Sequence, residues 1–85
     1  MSYEDIKIRV LREVVADLGP TFVTKDVSED PRMVQAHLDL VDHSLYHAFV
    51  GRALSIHRVI LEIDEIQKGT KRGSRWKKTK APSGR

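Results

Sequence analysis

Eight of the fifteen basic residues in this 85-residue chain fall between Lys68 and Arg85. They are Lys68, Lys71, Arg72, Arg75, Lys77, Lys78, Lys80 and Arg85, and no acid interrupts them. The residues before them hold twelve acids against seven bases, about −5, so the net charge of +3 conceals an acidic body and a basic end. Cations interleaved with Gly69, Gly73 and Trp76 suit one task above others: neutralising the closely spaced phosphates of a polyanion.

Other reactive side chains are less well arranged. His43 and His47 stand four apart and could share a ligand on one helix, with His37 across a turn. No cysteine accompanies them, Asp42 is the one acid nearby, and His43 falls before the helix start. No metal is therefore expected, and the imidazoles are assigned to partner or DNA-backbone contacts. Glu62, Asp64 and Glu65 cluster, yet on a strand Glu62 and Asp64 share one face and Glu65 takes the other. No nucleophile stands beside a base, and no glycine loop leads into a helix to cradle phosphate. Neither an enzymatic activity nor a cofactor is expected.

Length and composition narrow the choice further. The chain suffices for one domain, read as residues 1–80, followed by a disordered tail at 81–85. A domain this small buries only roughly 60% of its unfolded surface, which disfavours a deep substrate cavity. Glu4, Asp5, Lys7, Arg9, Arg12, Glu13 and Asp17 break up the early apolar residues. Neither a signal peptide nor a membrane span is expected, and the reading is a cytoplasmic protein without a membrane partner.

The elements that must position these groups can be traced in order. Ser2 followed by Asp5 resembles a capping box, and Ile6, Val10, Leu11, Val14, Val15 and Leu18 recur at helical steps until Gly19-Pro20. Thr21 to Thr24 favours a short strand. Thr24 can then cap a brief helix over Lys25–Glu29 that carries Asp26 in its first turn. Asp30-Pro31 is a second helix start, and one kinked helix or two would satisfy the pattern.

Ser44 or Asp42 can cap a helix from Leu45, with Leu45, Tyr46, Phe49, Val50, Ala53 and Leu54 inward. Its outer face, Ser44, His47, Ala48, Gly51, Arg52 and Ser55, is small and free of acids, as a groove-entering helix requires. Residues 58–68 admit two readings. Phe49, Ala53, Ile56, Ile60 and Ile63 form a heptad seam, which would extend one helix from Ser44 to about Gln67. Val59, Leu61 and Ile63 alternate as in a strand, and the glycines at 69 and 73 supply a turn before Arg75–Lys80 returns. The strand reading is preferred because of those glycines.

Helix, short strand, one or two helices, a small-faced helix and a basic hairpin, in that order, resemble the winged helix-turn-helix superfamily of DNA-binding proteins over nearly the whole chain. The points of likeness are Phe22-Val23-Thr24-Lys25-Asp26-Val27, Val50-Gly51-Arg52-Ala53-Leu54 and Gly73-Ser74-Arg75-Trp76-Lys77-Lys78. The resemblance implies an α+β fold with three to four helices, a short first strand and a C-terminal basic hairpin, the wing, over about 58–80. About fourteen residues separate Glu29 from Ser44, where that superfamily commonly has a tight turn.

The implied function is sequence-specific binding of double-stranded DNA by a small prokaryotic, archaeal or viral transcriptional regulator. Base contacts are expected from Ser44, His47, Gly51, Arg52 and Ser55, with Arg52 suited to a bidentate guanine contact. Phosphate contacts are expected from Lys68, Lys71, Arg72, Arg75, Lys77, Lys78 and Lys80. A homodimer is a possible state, and RNA is a lesser candidate partner. The rival class is a helical interaction or dimerisation module with a basic arm.

Overall fold

Leu11, Val14 and Val15 recur on one side of a first helix and are almost wholly buried, as their spacing requires. The computed structural model describes residues 3–71 and 73–79. After a 3-10 turn at Tyr3–Asp5 come α1 (Ile8–Asp17), β1 (Thr21–Val23), α2 (Thr24–Ser28) and α3 (Pro31–Ala36). They are followed by α4 (Tyr46–Ile56), α5 (Arg58–Leu61), β2 (Ile63–Thr70) and β3 (Gly73–Lys78). The chain is thus an α+β domain whose antiparallel three-stranded sheet has the order β1-β3-β2.

β3 is the central strand. Phe22 of β1 and Glu65 of β2 flank its Trp76, and the β2–β3 pairing shifts register twice on the way to the tip. Phe22, Ile63 and Trp76 point from the sheet into the core, where they join Leu11, Val14, Val27, Met33, Val50 and Leu54 from the helices.

Several helix ends depart from expectation for identifiable reasons. α1 begins at Ile8, with Lys7 before it and no side-chain cap; Ser2, the expected cap, lies outside the described residues. The Lys7 N–H donates to His37 Nε2 at 2.9 Å, while His37 Nδ1 donates to the Met33 carbonyl at 2.8 Å. The buried ring therefore ties the entry of α1 to α3 and satisfies two backbone groups. Thr24 is the first residue of α2 rather than its cap, and the Asp26 carboxylate accepts the preceding Val23 N–H at 3.0 Å. α2 and α3 are two helices, the second capped by Asp30, which accepts the Arg32 N–H at 2.9 Å. At α4 neither Asp42 nor Ser44 supplies the cap; His43 Nδ1 accepts the Leu45 N–H at 3.0 Å.

The hairpin starts at Ile63, not at about Arg58, because Arg58–Leu61 forms α5. Glu62 then adopts a left-handed backbone (φ 58°) that ends the helix and turns the chain into β2. Its carbonyl accepts the Thr79 N–H at 2.8 Å, which fastens the turn to the far end of β3. The alternative, one helix from Ser44 to about Gln67, is broken at His57 between α4 and α5 and ends before Glu62. No helix among the described residues is long and apolar enough to cross a membrane.

Candidate nucleic-acid interface

Alternate residues of β3 go to opposite destinations, as the two-residue period of a strand demands. Trp76 is buried, and its Nε1–H donates to Thr24 Oγ1 at 3.0 Å. Arg75 and Lys77 are exposed on the other face. Lys78 returns to the inner side, where its Nζ donates to the carbonyls of Leu18 at 2.6 Å and Ala16 at 3.2 Å. Those carbonyls close α1, whose negative dipole end favours a cation. Lys78 is thereby engaged at the opposite end of the strand from the turn, apart from the other expected phosphate contacts. Lys68, Lys71, Arg75 and Lys77 are brought together as exposed cations of the hairpin. Arg72 and Lys80 lie outside the described residues.

Lys68 has one acid nearby, Glu65 at 3.9 Å, and with the lysine side chain 85% exposed that pair is weak. Asp64 stands opposite Lys77 in the strand register. Arg32, by contrast, is pinned between Asp17 and Asp30 on the body of the protein. Its hydrogen bonds to those carboxylates, to Asp30 first, push the guanidinium further above its already high ordinary value.

The tip holds two glycines with positive φ, Gly69 at 70° and Gly73 at 94°. A Cβ on Gly73 would lie 2.7 Å from Thr24 Cβ and 3.2 Å from His47 Nε2. Only glycine lets this end of the hairpin approach α2 and α4 so closely. His47 Nδ1 shares a hydrogen bond with Ser28 Oγ at 2.9 Å, and the Tyr46 hydroxyl donates to the Ser28 carbonyl at 3.0 Å. Burial around Tyr46 pushes its phenol upward from the ordinary value. Thr24 Oγ1, besides accepting from Trp76, donates to the Ser74 carbonyl at 3.4 Å. The result is a clamp of Thr24, Ser28, His47, Gly73 and Trp76 that fixes the hairpin against α4.

One of the expected base contacts, His47, belongs to that clamp, and a second, Gly51, packs beside it. His47 is exposed overall but is directed at Ser28, and a Cβ on Gly51 would sit 3.5 Å from Thr24 Cγ2. Ser55 is half-buried, Ser44 lies exposed ahead of α4, and Arg52 is exposed. Leu45, expected inward, is 51% exposed, while Phe49 is partly covered and meets the His43 ring at 5.5 Å. The helix is thus rotated so that Leu45, Ala48, Arg52 and Ile56 form its outward stripe. No acid occurs in Tyr46–Ile56. Sequence reading missed Thr24 and Ser28; their signal is a pair of small polar residues four apart on a helix otherwise anchored by Val27.

His37 uses both ring nitrogens on backbone groups, and His43 and His47 have separate partners. Among the described residues no group of three histidines or acids is placed to hold a metal ion. Comparison of the chain with protein-family models, curated proteins and solved structures finds no match.

Proposed function

We propose that this protein is a winged helix-turn-helix that binds double-stranded DNA, with α4 in the major groove and the hairpin tip along the phosphate backbone. The observation that carries the reading is the clamp: Gly73 against Thr24 and His47 couples the acid-free helix to the hairpin bearing Lys68, Lys71, Arg75 and Lys77. The sheet order β1-β3-β2, with β1 leading into α2 and a helix preceding the hairpin, supports it. The exposed Arg52 is the residue suited to a guanine edge. A single module covers a short site, so pairing of two copies belongs to the proposal. Val59 and Ile60, 80% and 57% exposed, provide apolar surface for it. A regulator of transcription needs no more machinery than this.

Binding to a fluorescent random-sequence duplex, measured across salt, tests the reading. Each neutralised phosphate contributes a slope of about −0.9 in log K against log salt, so four engaged cations give about −3.6. Replacing Lys68, Lys71 and Arg75 by alanine should flatten that slope by about 2.7. Absence of binding at low salt, or an unchanged slope in the triple variant, would remove the proposal. Tighter binding of a structured RNA at matched salt would transfer it from DNA to RNA.

A further inference from the structure

Leu45, the residue that leads into α4, and Ala48, Arg52 and Ile56 within it follow at steps of three or four residues, and all four are exposed along one outward line. Leu45 is 51% and Ile56 is 44% exposed, an unusual content for the solvent side of a helix. The side chains that would distinguish adenine or cytosine by paired hydrogen bonds are missing: Tyr46–Ile56 contains no Asn, Gln, Asp or Glu. His47 is bonded to Ser28, and Gly51 packs beside Thr24, so neither adds a polar reader to this line. In the major groove the base pairs offer one apolar group, the 5-methyl of thymine.

Resting on the DNA-binding reading above, we propose that Leu45, Ala48 and Ile56 read thymine methyl groups on both sides of a guanine contacted by Arg52. The preferred site is then a thymine-rich run interrupted by guanine. From Leu45 to Ile56 the helix advances about 16 Å, which matches roughly five base pairs at 3.4 Å each along one strand. Charge complementarity identifies the occupant of this apolar line as DNA rather than protein. The helix carries no acid, and the hairpin clamped beside it presents Lys71, Arg75 and Lys77. A protein partner drawn to the apolar residues alone would have no use for those cations.

The test begins with selection of bound duplexes from a random library, followed by replacement of each thymine in the selected site by deoxyuridine. That change removes only the methyl group and leaves the protein untouched. A buried methyl contributes about fourfold in affinity, so uracil at two or more positions should each weaken binding about fourfold. Leu45→Ala should abolish the response at one position and Ile56→Ala at another, with melting temperatures unchanged because both side chains are exposed. Selective binding indifferent to uracil overturns the inference, as does a set of uracil losses that neither variant alters at any position; a loss opposite Ala48 should persist in both. Salt-dependent binding without any sequence selection sinks it while sparing DNA binding itself. Failure to bind any duplex removes both.

Discussion

On the side of the β2–β3 hairpin packed against the body, Trp76 is 1% exposed and Gly73 lies so near Thr24 that an added Cβ would come within 2.7 Å of it. On the side turned away from the body, Lys68 and Lys71 are exposed, and a Cβ on Gly69 would meet nothing within 4 Å. Two glycines four residues apart, both with positive φ, therefore serve different ends. One admits a close approach of backbone to the body, and the other only turns the chain. The hairpin separates anchoring from the display of charge, and strand alternation lets β3 do both at Trp76 and Arg75. Stability should then be sensitive to the packed side and nearly blind to the outer one.

The largest effect should come from Trp76→Ala, which empties the centre of the sheet's inner face and leaves the Thr24 hydroxyl without its donor. A loss of about 3–5 kcal/mol is expected from such a truncation, lowering the melting temperature by at least about 12 °C at some 4 °C per kcal/mol. Thermal unfolding followed by circular dichroism measures it. A shift of only a degree or two would place the indole outside the core and dissolve the contrast.

The two glycines provide the sharpest internal control. Gly73→Ala combines an unfavourable backbone with a collision against Thr24, and about 3 kcal/mol of destabilisation is expected. Gly69→Ala meets open space and should cost about 1 kcal/mol from its left-handed conformation alone. Urea denaturation of the pair gives the difference directly. Equal losses would mean that the hairpin is not wedged against α2 at Gly73.

These local roles were unequally legible in the sequence. The stripe of α1, the Asp30-Pro31 start and the glycine turn follow from periods and caps contained within a few residues. Helix α5 does not. It depends on a left-handed Glu62, which no propensity favours, secured by the Thr79 N–H from the far end of β3. The rotation of α4 was hidden for the same reason. Leu45 and Tyr46 are both apolar, and the choice of Tyr46 for the interior is made by its hydroxyl reaching the Ser28 carbonyl. That rotation brought Gly51 from the expected groove face against Thr24, while His47, still exposed, turned its ring to Ser28 in the clamp. Lys78 read as one more cation of a basic run; only the folded chain brings the α1 carbonyls to its ammonium.

The acidic body offers a smaller test by pH. Asp30 caps α3, and its carboxyl is held below the ordinary value of 3.8 by hydrogen bonds, chiefly from the Arg32 guanidinium and also from the Arg32 N–H, against an opposing effect of burial. A carboxyl lowered on folding contributes stability that is fully present above its ordinary value and disappears as pH falls through the lowered one. Asp30→Ala should cost about 1 kcal/mol at neutral pH, as loss of a helix cap does. The gap between variant and parent should close below the carboxylate range. A gap that stays constant down to pH 2 would show that the charge on Asp30 is irrelevant to the cap.

The smallest expected effect is also the one that most directly divides the display of charge from anchoring. Lys68, Lys71 and Arg75 project from the hairpin, and the described contact of Lys68 with Glu65 is too long and too exposed to matter. Replacing all three by alanine should leave the urea midpoint within about 0.5 kcal/mol of the parent, because no packing is lost and repulsion among neighbouring cations is relieved. A marked stabilisation would mean that this repulsion was a standing cost of the fold, retained for something that the cations do at the surface. A marked destabilisation would mean that their aliphatic stems hold the hairpin together, and the tip would then belong to the same structural unit as Trp76.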